Sequence, residues 1–369
     1  MAEVATSFSS GMSAISNTLF TLLSPGDRVV SIKDTYGGTN KIFLEFLPRF
    51  GIKVTLCETT DTEQIEAATG EGCKVLYLES PTNPTIKVVD LARLAKAGHR
   101  NGAIVVVDNT FATPINQQPL KLGADLVIHS ATKFLGGHAD ALGGVVCGPA
   151  DLIVQVYHFR EINGACLDSM AAYLLLRGMK TLHLRIARQN ESALKIARFL
   201  ESHPQVEKVF YPGLKSHENH KIARKQMSGF GGVLSFVLHG GFEAVKSFLP
   251  RLRYAHLAAN LGSVETVAGP PATTSHVELN KEERAAAGIP EALIRYSVGI
   301  EDTGDLIEDL GQALDRNLSA LAGSVRISSS ATASSRTPRF HQRAEGSHLD
   351  AVSEVMRSFA PPEERLRSR

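Results

Sequence analysis

Five short runs rich in valine, isoleucine and leucine recur between residues 27 and 130: "DRVVSI" (27–32), "IKVTLCE" (52–58), "KVLYLES" (74–80), "GAIVVVDN" (102–109) and "ADLVIHS" (124–130). Helical patterns fill the intervals, among them "TNKIFLEFLPRFG" from Thr39 and "VDLARLAKAGHRNG" from Val89, with apolar residues three and four apart. Strands that are apolar on both faces and separated by helices specify an α/β fold, a mostly parallel sheet wrapped on both sides by helices. In such sheets ligands bind outside the carboxyl ends of the strands. The residues that close the runs therefore come first: Glu79, Asp108, and Ser130 with Lys133.

Further along, a helical pattern spans about Leu167 to His203 with a break at Gly178, and is expected to link two domains. Strand-like "VEKVFY", "GVLSFVLHG" and "LIRYSVGI" follow, then a closing amphipathic helix in "TGDLIEDLGQALDRNLSAL". The expected organisation is a large domain over 1–177, a smaller α+β domain over 178–322, and a disordered tail over 323–369. In that tail the composition turns Ser-, Thr- and Arg-rich.

At 369 residues the chain has ample material for a core. Its 39 Lys plus Arg against 38 Asp plus Glu leave a formal charge of +1, so no global field draws it to nucleic acid or an anionic membrane. Small molecules are the expected partners. Cys57, Cys73, Cys147 and Cys166 form no C-x-x-C pair and read as structural thiols in a reducing compartment. With no apolar stretch near the length of a membrane span and no leader-like start, the expected location is cytoplasmic.

A lysine after one strand and a carboxylate closing its neighbour suit one particular chemistry. A lysine amine of lowered pKa attacks an aldehyde to form a Schiff base, and the aldehyde cofactor whose ring nitrogen wants an acidic partner is pyridoxal 5'-phosphate. The plain alternative makes Asp108 a helix cap and Lys133 a solvated loop residue. For the phosphate, "SSGM" opens a helical pattern whose first N–H groups converge on an anion. Ser130 and Thr132 offer hydroxyls beside it, although Ser before a helix is more often simply an N-cap.

The segments "SSGMSAIS", "DTYGGTNKIF", "ESPTNPTIKVVD", "VVVDNTFATP", "HSATKFLGGHADALGG", "VEKVFYPGL" and "LIRYSVGIED", in this order, resemble the Cys/Met-metabolism family of pyridoxal-phosphate enzymes. That family contains cystathionine γ-lyase, cystathionine γ-synthase, methionine γ-lyase and O-acetylhomoserine sulfhydrylase. The resemblance implies the type I fold of these transferases and the trans-sulfuration of sulfur amino acids. It assigns Lys133 to the cofactor aldehyde and Asp108 to the ring nitrogen. Tyr36 is then the aromatic stacked on the ring, which exchanges a proton with the leaving sulfur, and Asn83 lies beside the ring hydroxyl. Gly11, Met12, Ser130 and Thr132 cradle the phosphate, and Arg295 clamps the substrate carboxylate. Each has a bland alternative: Tyr36 an aromatic near a turn, Asn83 a turn former, Arg295 an exposed edge residue.

Subtype signals are fewer. Gly38 stands where bacterial methionine γ-lyases carry a cysteine, and "NLGSVETVAGPPATTSH" places Glu265 and Thr266 in the segment expected to face substrate. Thr266 is expected near the carboxylate. Glu265 is either a contact for the distal amine of cystathionine or a solvated loop charge. Whole-chain likeness favours cystathionine γ-lyase, in a homo-oligomer (dimer or tetramer). The family also carries an N-terminal arm before "SSGM" that reaches a neighbour's phosphate, whereas here Ser9 lies close to Met1. The corresponding expectation is weaker cofactor binding and assembly, with a weakly active partner subunit as the alternative role.

Overall fold

The alternation read from the sequence becomes five adjacent strands of a seven-stranded sheet. The computed structural model describes residues 2–274, 281–286 and 288–326. Its strands are β1 (Val4–Phe8), β2 (Arg28–Ile32), β3 (Lys53–Cys57), β4 (Val75–Glu79), β5 (Ile104–Asp108), β6 (Leu126–Ser130) and β7 (Gly144–Gly148), in the order β1-β7-β6-β5-β4-β2-β3. The five anticipated runs, β2 to β6, pair in parallel. The unanticipated strands β1 and β7 add antiparallel pairs at one edge. Their sequences, "VATSF" and "GVVCG", are too short and too interrupted by small residues to carry a strand signal alone.

Helices α1 (Gly11–Leu22), α2 (Gly37–Lys41), α3 (Thr62–Gly70), α4 (Leu91–Arg100), α5 (Thr113–Asn116), α6 (Ala150–Asn163), α7 (Ser169–Met179) and α8 (Leu182–Ser202) connect and follow these strands. On one face Tyr77, Val106 and Ile128 pack with Ala14, Ile15 and Leu19 of α1. On the other, Leu76, Leu78, Val105 and Val127 pack with Ile65 of α3 and Leu91 and Leu94 of α4. Strand side chains alternate between faces, so Glu79, Asp108 and Ser130, each two residues past a member of the first set, belong to the α1 face. The periodicity that forms the sheet thus also delivers its polar strand ends to one side.

The helix expected from Thr39 is broken. α2 ends at Lys41 and is followed by a wide π turn, Ile42–Phe46, and a 3-10 turn, Leu47–Phe50, that contains Pro48. Proline has no N–H to continue a regular ladder. The long pattern across Gly178 resolves into α7 and α8, separated at Lys180 and Thr181.

A second, five-stranded sheet follows α8. Its strands β8 (Val206–Phe210), β9 (Val233–Leu238), β10 (His256–Leu257), β11 (Val267–Gly269) and β12 (Leu293–Ser297) run in the order β10-β11-β12-β9-β8. Phe236, Leu293, Tyr296 and Leu310 anchor its core. The closing helix extends over Thr303–Arg326, so it does not stop where the composition changes at Gly323. Contacts divide the chain between Ala322 and Gly323, inside that helix. The rest of the expected tail, 327–369, lies outside the described residues. Of the four thiols, Cys57 is buried but Cys166 is exposed, so the reading of all four as structural does not hold for Cys166.

Arg185 of α8 is 4 % exposed and holds the turn that follows β6. Its guanidinium donates to the carbonyls of Phe134 at 2.8 Å, Leu135 at 3.3 Å and Gly178 at 2.9 Å. Removing a buried donor strands its acceptors without water. The R185M variant is therefore expected to lose about 3 kcal/mol of stability in urea denaturation. A loss below about 1 kcal/mol would show that the turn is held by other contacts.

Candidate active site

The start of α1 is pressed against the end of β6. Ser10 caps the helix, its hydroxyl accepting from the Ser13 N–H at 3.0 Å. A Cβ on Gly11 would sit 2.7 Å from Ser130 Cβ and 2.8 Å from its Oγ, so only glycine allows this approach. A Cβ on Gly144 of β7 would overlap the Ser10 carbonyl. The N–H groups of Gly11 and Met12 open the helix, where no intrahelical acceptor exists and the dipole favours an anion. Gly11, Met12 and Ser130 thus lie together. Thr132 is differently engaged, its hydroxyl accepting from the Gly143 N–H at 3.0 Å and donating to the Gly143 carbonyl at 3.2 Å.

Two carboxylates close neighbouring strands. Glu79 of β4 and Asp108 of β5 are register partners in a parallel pair and are 4 % and 6 % exposed. Asp108 accepts from the Thr110 N–H at 3.0 Å and from its hydroxyl at 2.6 Å. The same hydroxyl accepts from the Ser130 N–H at 2.9 Å, tying Asp108 to the end of β6. This local turn, and the capping of α5 by Ala112, dispose of the alternative in which Asp108 caps a helix. Burial raises the Asp108 carboxyl above the ordinary range, against the opposing hydrogen bonds from Thr110. Burial raises Glu79 further, with Asp108 adding to it. Among the described residues neither takes part in an ion pair.

Glu79 also accepts from the Tyr36 N–H at 2.8 Å, which fixes the backbone where α2 begins. The Tyr36 ring is 43 % exposed. It packs near Met12: a Cβ on Gly38 would meet Met12 Sδ at 2.8 Å and Tyr36 Cε1 at 3.0 Å. The aromatic ring expected over the cofactor therefore stands beside the opening of α1.

Two cations complete the cluster. Lys133 follows β6, and its Nζ donates to Asn260 Oδ1 at 2.8 Å. Burial, and then the neighbouring Arg295, lower its amine to about 8. Arg295 lies in β12, between β11 and β9, and is 4 % exposed, so it is no edge residue. It donates to Asn83 Oδ1 at 3.1 Å and to the carbonyls of Ala259 at 2.7 Å and Asn260 at 3.2 Å. Burial lowers it to about 10, while the Tyr36 phenol favours its charge. No carboxylate pairs with either cation among the described residues. Asn260 touches both, and Asn83 is drawn in by Arg295.

Thr266 and Glu265 are not brought into this cluster. The Thr266 hydroxyl donates to Glu301 at 2.8 Å and accepts from the Gly299 N–H at 2.9 Å, which makes it a fully buried packing group. Glu265 is exposed, which fits its reading as a solvated loop charge. His129 turns to the opposite face of the sheet, lining a cavity of about 240 Å³, and burial lowers it to about 4. Sequence reasoning missed Thr110 and Asn260. The Asp-x-Thr spacing of an Asx turn was a usable signal for Thr110. Asn260 had none, since it meets Lys133 from 127 residues away.

The family model for "Cys/Met metabolism PLP-dependent enzyme" matches residues 1–315. The chain belongs to this family. It is 46% identical over 317 residues to the L-methionine gamma-lyase of Fusobacterium nucleatum subsp. polymorphum, covering 85% of this chain and 80% of that one. It is 44% identical over 314 residues to the cystathionine gamma-lyase of Bacillus subtilis, covering 85% and 82%. The solved cystathionine gamma synthase of Xanthomonas oryzae pv. oryzae superposes with a TM-score of 0.84 at 38% identity, covering 86% of this chain and 82% of that one. This Cys/Met metabolism enzyme is accordingly dependent on pyridoxal phosphate and acts in sulfur amino-acid chemistry.

The residues present fit that cofactor. Asp108 is a buried carboxyl with no cation partner among the described residues, complementary to a pyridinium N–H. Lys133 is a partly buried amine whose partner among the described residues is neutral, and the glycine-tight opening of α1 is complementary to phosphate. In the cofactor-free protein, acylation of Lys133 followed by peptide mapping is expected to show a half-maximal rate near pH 8, because its neutral form appears there. In R295M the midpoint should rise, since a nearby positive charge is removed. A wild-type midpoint near that of an ordinary lysine, about 10.4, would contradict the assignment.

Proposed function

We propose that this enzyme cleaves L-cystathionine by α,γ-elimination, with water, to cysteine, 2-oxobutanoate and ammonia. The observation that carries this reading is the pair of cations, Lys133 and Arg295, joined through Asn260 and, among the described residues, lacking any carboxylate partner. A buried guanidinium without an anion is costly unless a ligand supplies one, and an α-amino acid brings a carboxylate to Arg295. Three of its five N–H donors serve Asn83, Ala259 and Asn260, leaving two for that group.

Pyridoxal phosphate, when bound, withdraws electrons from the Cα of the attached amino acid. Around it, the N–H groups of Gly11 and Met12 with Ser130 would hold the phosphate, and Thr132 would shape the loop beside it. Asp108 would keep the ring nitrogen protonated, and Asn83 would lie by the ring hydroxyl while steadying Arg295. Lys133, with an amine titrating near 8, is suited to remove the Cα proton and return it at Cγ or Cβ. The Tyr36 phenol, beside the opening of the site, would exchange a proton with the departing sulfur.

Elimination and γ-replacement, as by cystathionine γ-synthase or O-acetylhomoserine sulfhydrylase, share these steps. The 46% identity to a methionine gamma-lyase supports methionine as a second elimination substrate. Gly38 weighs against it, because a larger residue there would require Met12 and Tyr36 to shift. Large apolar side chains exposed on α6 and α7, including Val154, Tyr157, Met170, Tyr173 and Leu176, support burial against a second copy of the chain. A weakly active subunit is the contrary reading.

Measured 2-oxobutanoate formation is expected to give kcat/KM at least about tenfold higher for cystathionine than for methionine. A higher value for methionine would transfer the assignment. Net replacement of an acyl group on homoserine by a thiol, without 2-oxobutanoate, would place the enzyme among the synthases. Sedimentation equilibrium is expected to show a dimer or tetramer, and a monomer at micromolar concentration would contradict the oligomer.

A further inference from the structure

Glu79 takes no part in the chemistry above, yet it stands within the same cluster. It ends β4 in register with Asp108 on β5, and side chains at register positions of neighbouring strands share a face about 5 Å apart. Both carboxyls are more than nine-tenths buried, and among the described residues neither meets a cation in an ion pair. Its oxygen also fixes the Tyr36 N–H. We propose that Glu79 and Asp108 share one proton in the cofactor-free protein, and that Glu79 is a positioning residue that holds the Tyr36 turn and sets the charge on Asp108.

The surrounding groups leave the pair to itself. Asp34, in the segment before Tyr36, adds negative charge but is neutralised by Lys87 at 2.6 Å. Tyr77, fully buried on the same face of β4, is held neutral by burial and by these two carboxylates. Lys133 is bonded to Asn260, and Arg295 to Asn83 and backbone carbonyls. The Tyr36 and Asn83 amides favour charge on Glu79, and Thr110 favours it on Asp108. Each carboxylate is thus solvated by the protein for ionisation, but the second ionisation meets the first across adjacent strands. A cation arriving at Asp108 would relieve that repulsion. This last consequence rests on the reading of Asp108 as the partner of the cofactor's ring nitrogen.

The sign follows from proton linkage. Carboxyls raised above their unfolded values make the folded state hold more protons than the unfolded one between the ordinary and the raised pKa. Stability from this pair is therefore present at low pH and lost as pH rises through that window. Glu79→Gln keeps an oxygen for the Tyr36 N–H but does not titrate, so it removes the Glu79 share of the slope and leaves the contact.

The test is thermal unfolding of the cofactor-free protein from pH 5 to 8 for wild type, E79Q and D108N, with pyridoxal phosphate affinity measured across the same range. Tm of E79Q is expected to gain about 3 °C or more on wild type as pH rises, and D108N should behave alike. The lower pH limit of cofactor binding should also move down in E79Q, because Asp108 then ionises without competition. A constant Tm offset between wild type and E79Q would mean a purely structural Glu79 and overturn the shared proton. Diverging Tm lines with no cofactor binding in any variant would support the shared proton and overturn the reading of Asp108.

Discussion

The structure depends on buried charges that are solvated by neutral dipoles instead of by each other. Lys133 faces the Asn260 amide, Arg295 faces Asn83 and two carbonyls, and Asp108 faces Thr110. Holding such groups in low dielectric is expensive, and a protein tuned for stability alone would pair them or replace them with apolar residues. The arrangement makes sense when a ligand supplies the counter-charges. Pyridoxal phosphate with an α-amino acid would bring a pyridinium to Asp108, a carboxylate to Arg295 and a phosphate to the start of α1.

Positioning these charges falls to the two sheets. Alternation along β4, β5 and β6 sends Glu79, Asp108 and Ser130 to the face covered by α1, and Gly11 lets that helix approach Ser130. Arg185 holds the turn after Lys133. Arg295 comes from a central strand of the second sheet, and Asn83 and Asn260 join it to the groups of the first. Among the described residues no ion pair joins Glu79 or Asp108 to Lys133 or Arg295. This explains why the Lys133 amine falls to about 8: burial and a guanidinium act on it without a compensating carboxylate.

Much of this was legible in the sequence because it follows from local pattern. The parallel strands announce themselves by continuous apolar runs, and a lysine or aspartate at the end of such a run stands out from the packing requirement. The glycine and serine that open α1 were readable for the same reason. What was not legible depends on contacts across the chain. Asn260 reaches Lys133 over 127 residues, and Thr266 lies in the expected segment but is turned away by Glu301. The antiparallel strands β1 and β7 were hidden because they are stabilised by pairing across the chain, β1 with β7 and β7 with β6, and not by local pattern. The break after α2 was marked by Pro48, but the apolar spacing around it read as one continuous helix.

The most direct test of the central claim is the absorbance spectrum of protein mixed with pyridoxal phosphate and then desalted, recorded beside K133A. Buried, uncompensated charges waiting for this ligand predict a retained visible band in wild type that is absent from K133A. A wild-type spectrum without that band, or a band that survives the substitution, would contradict the account.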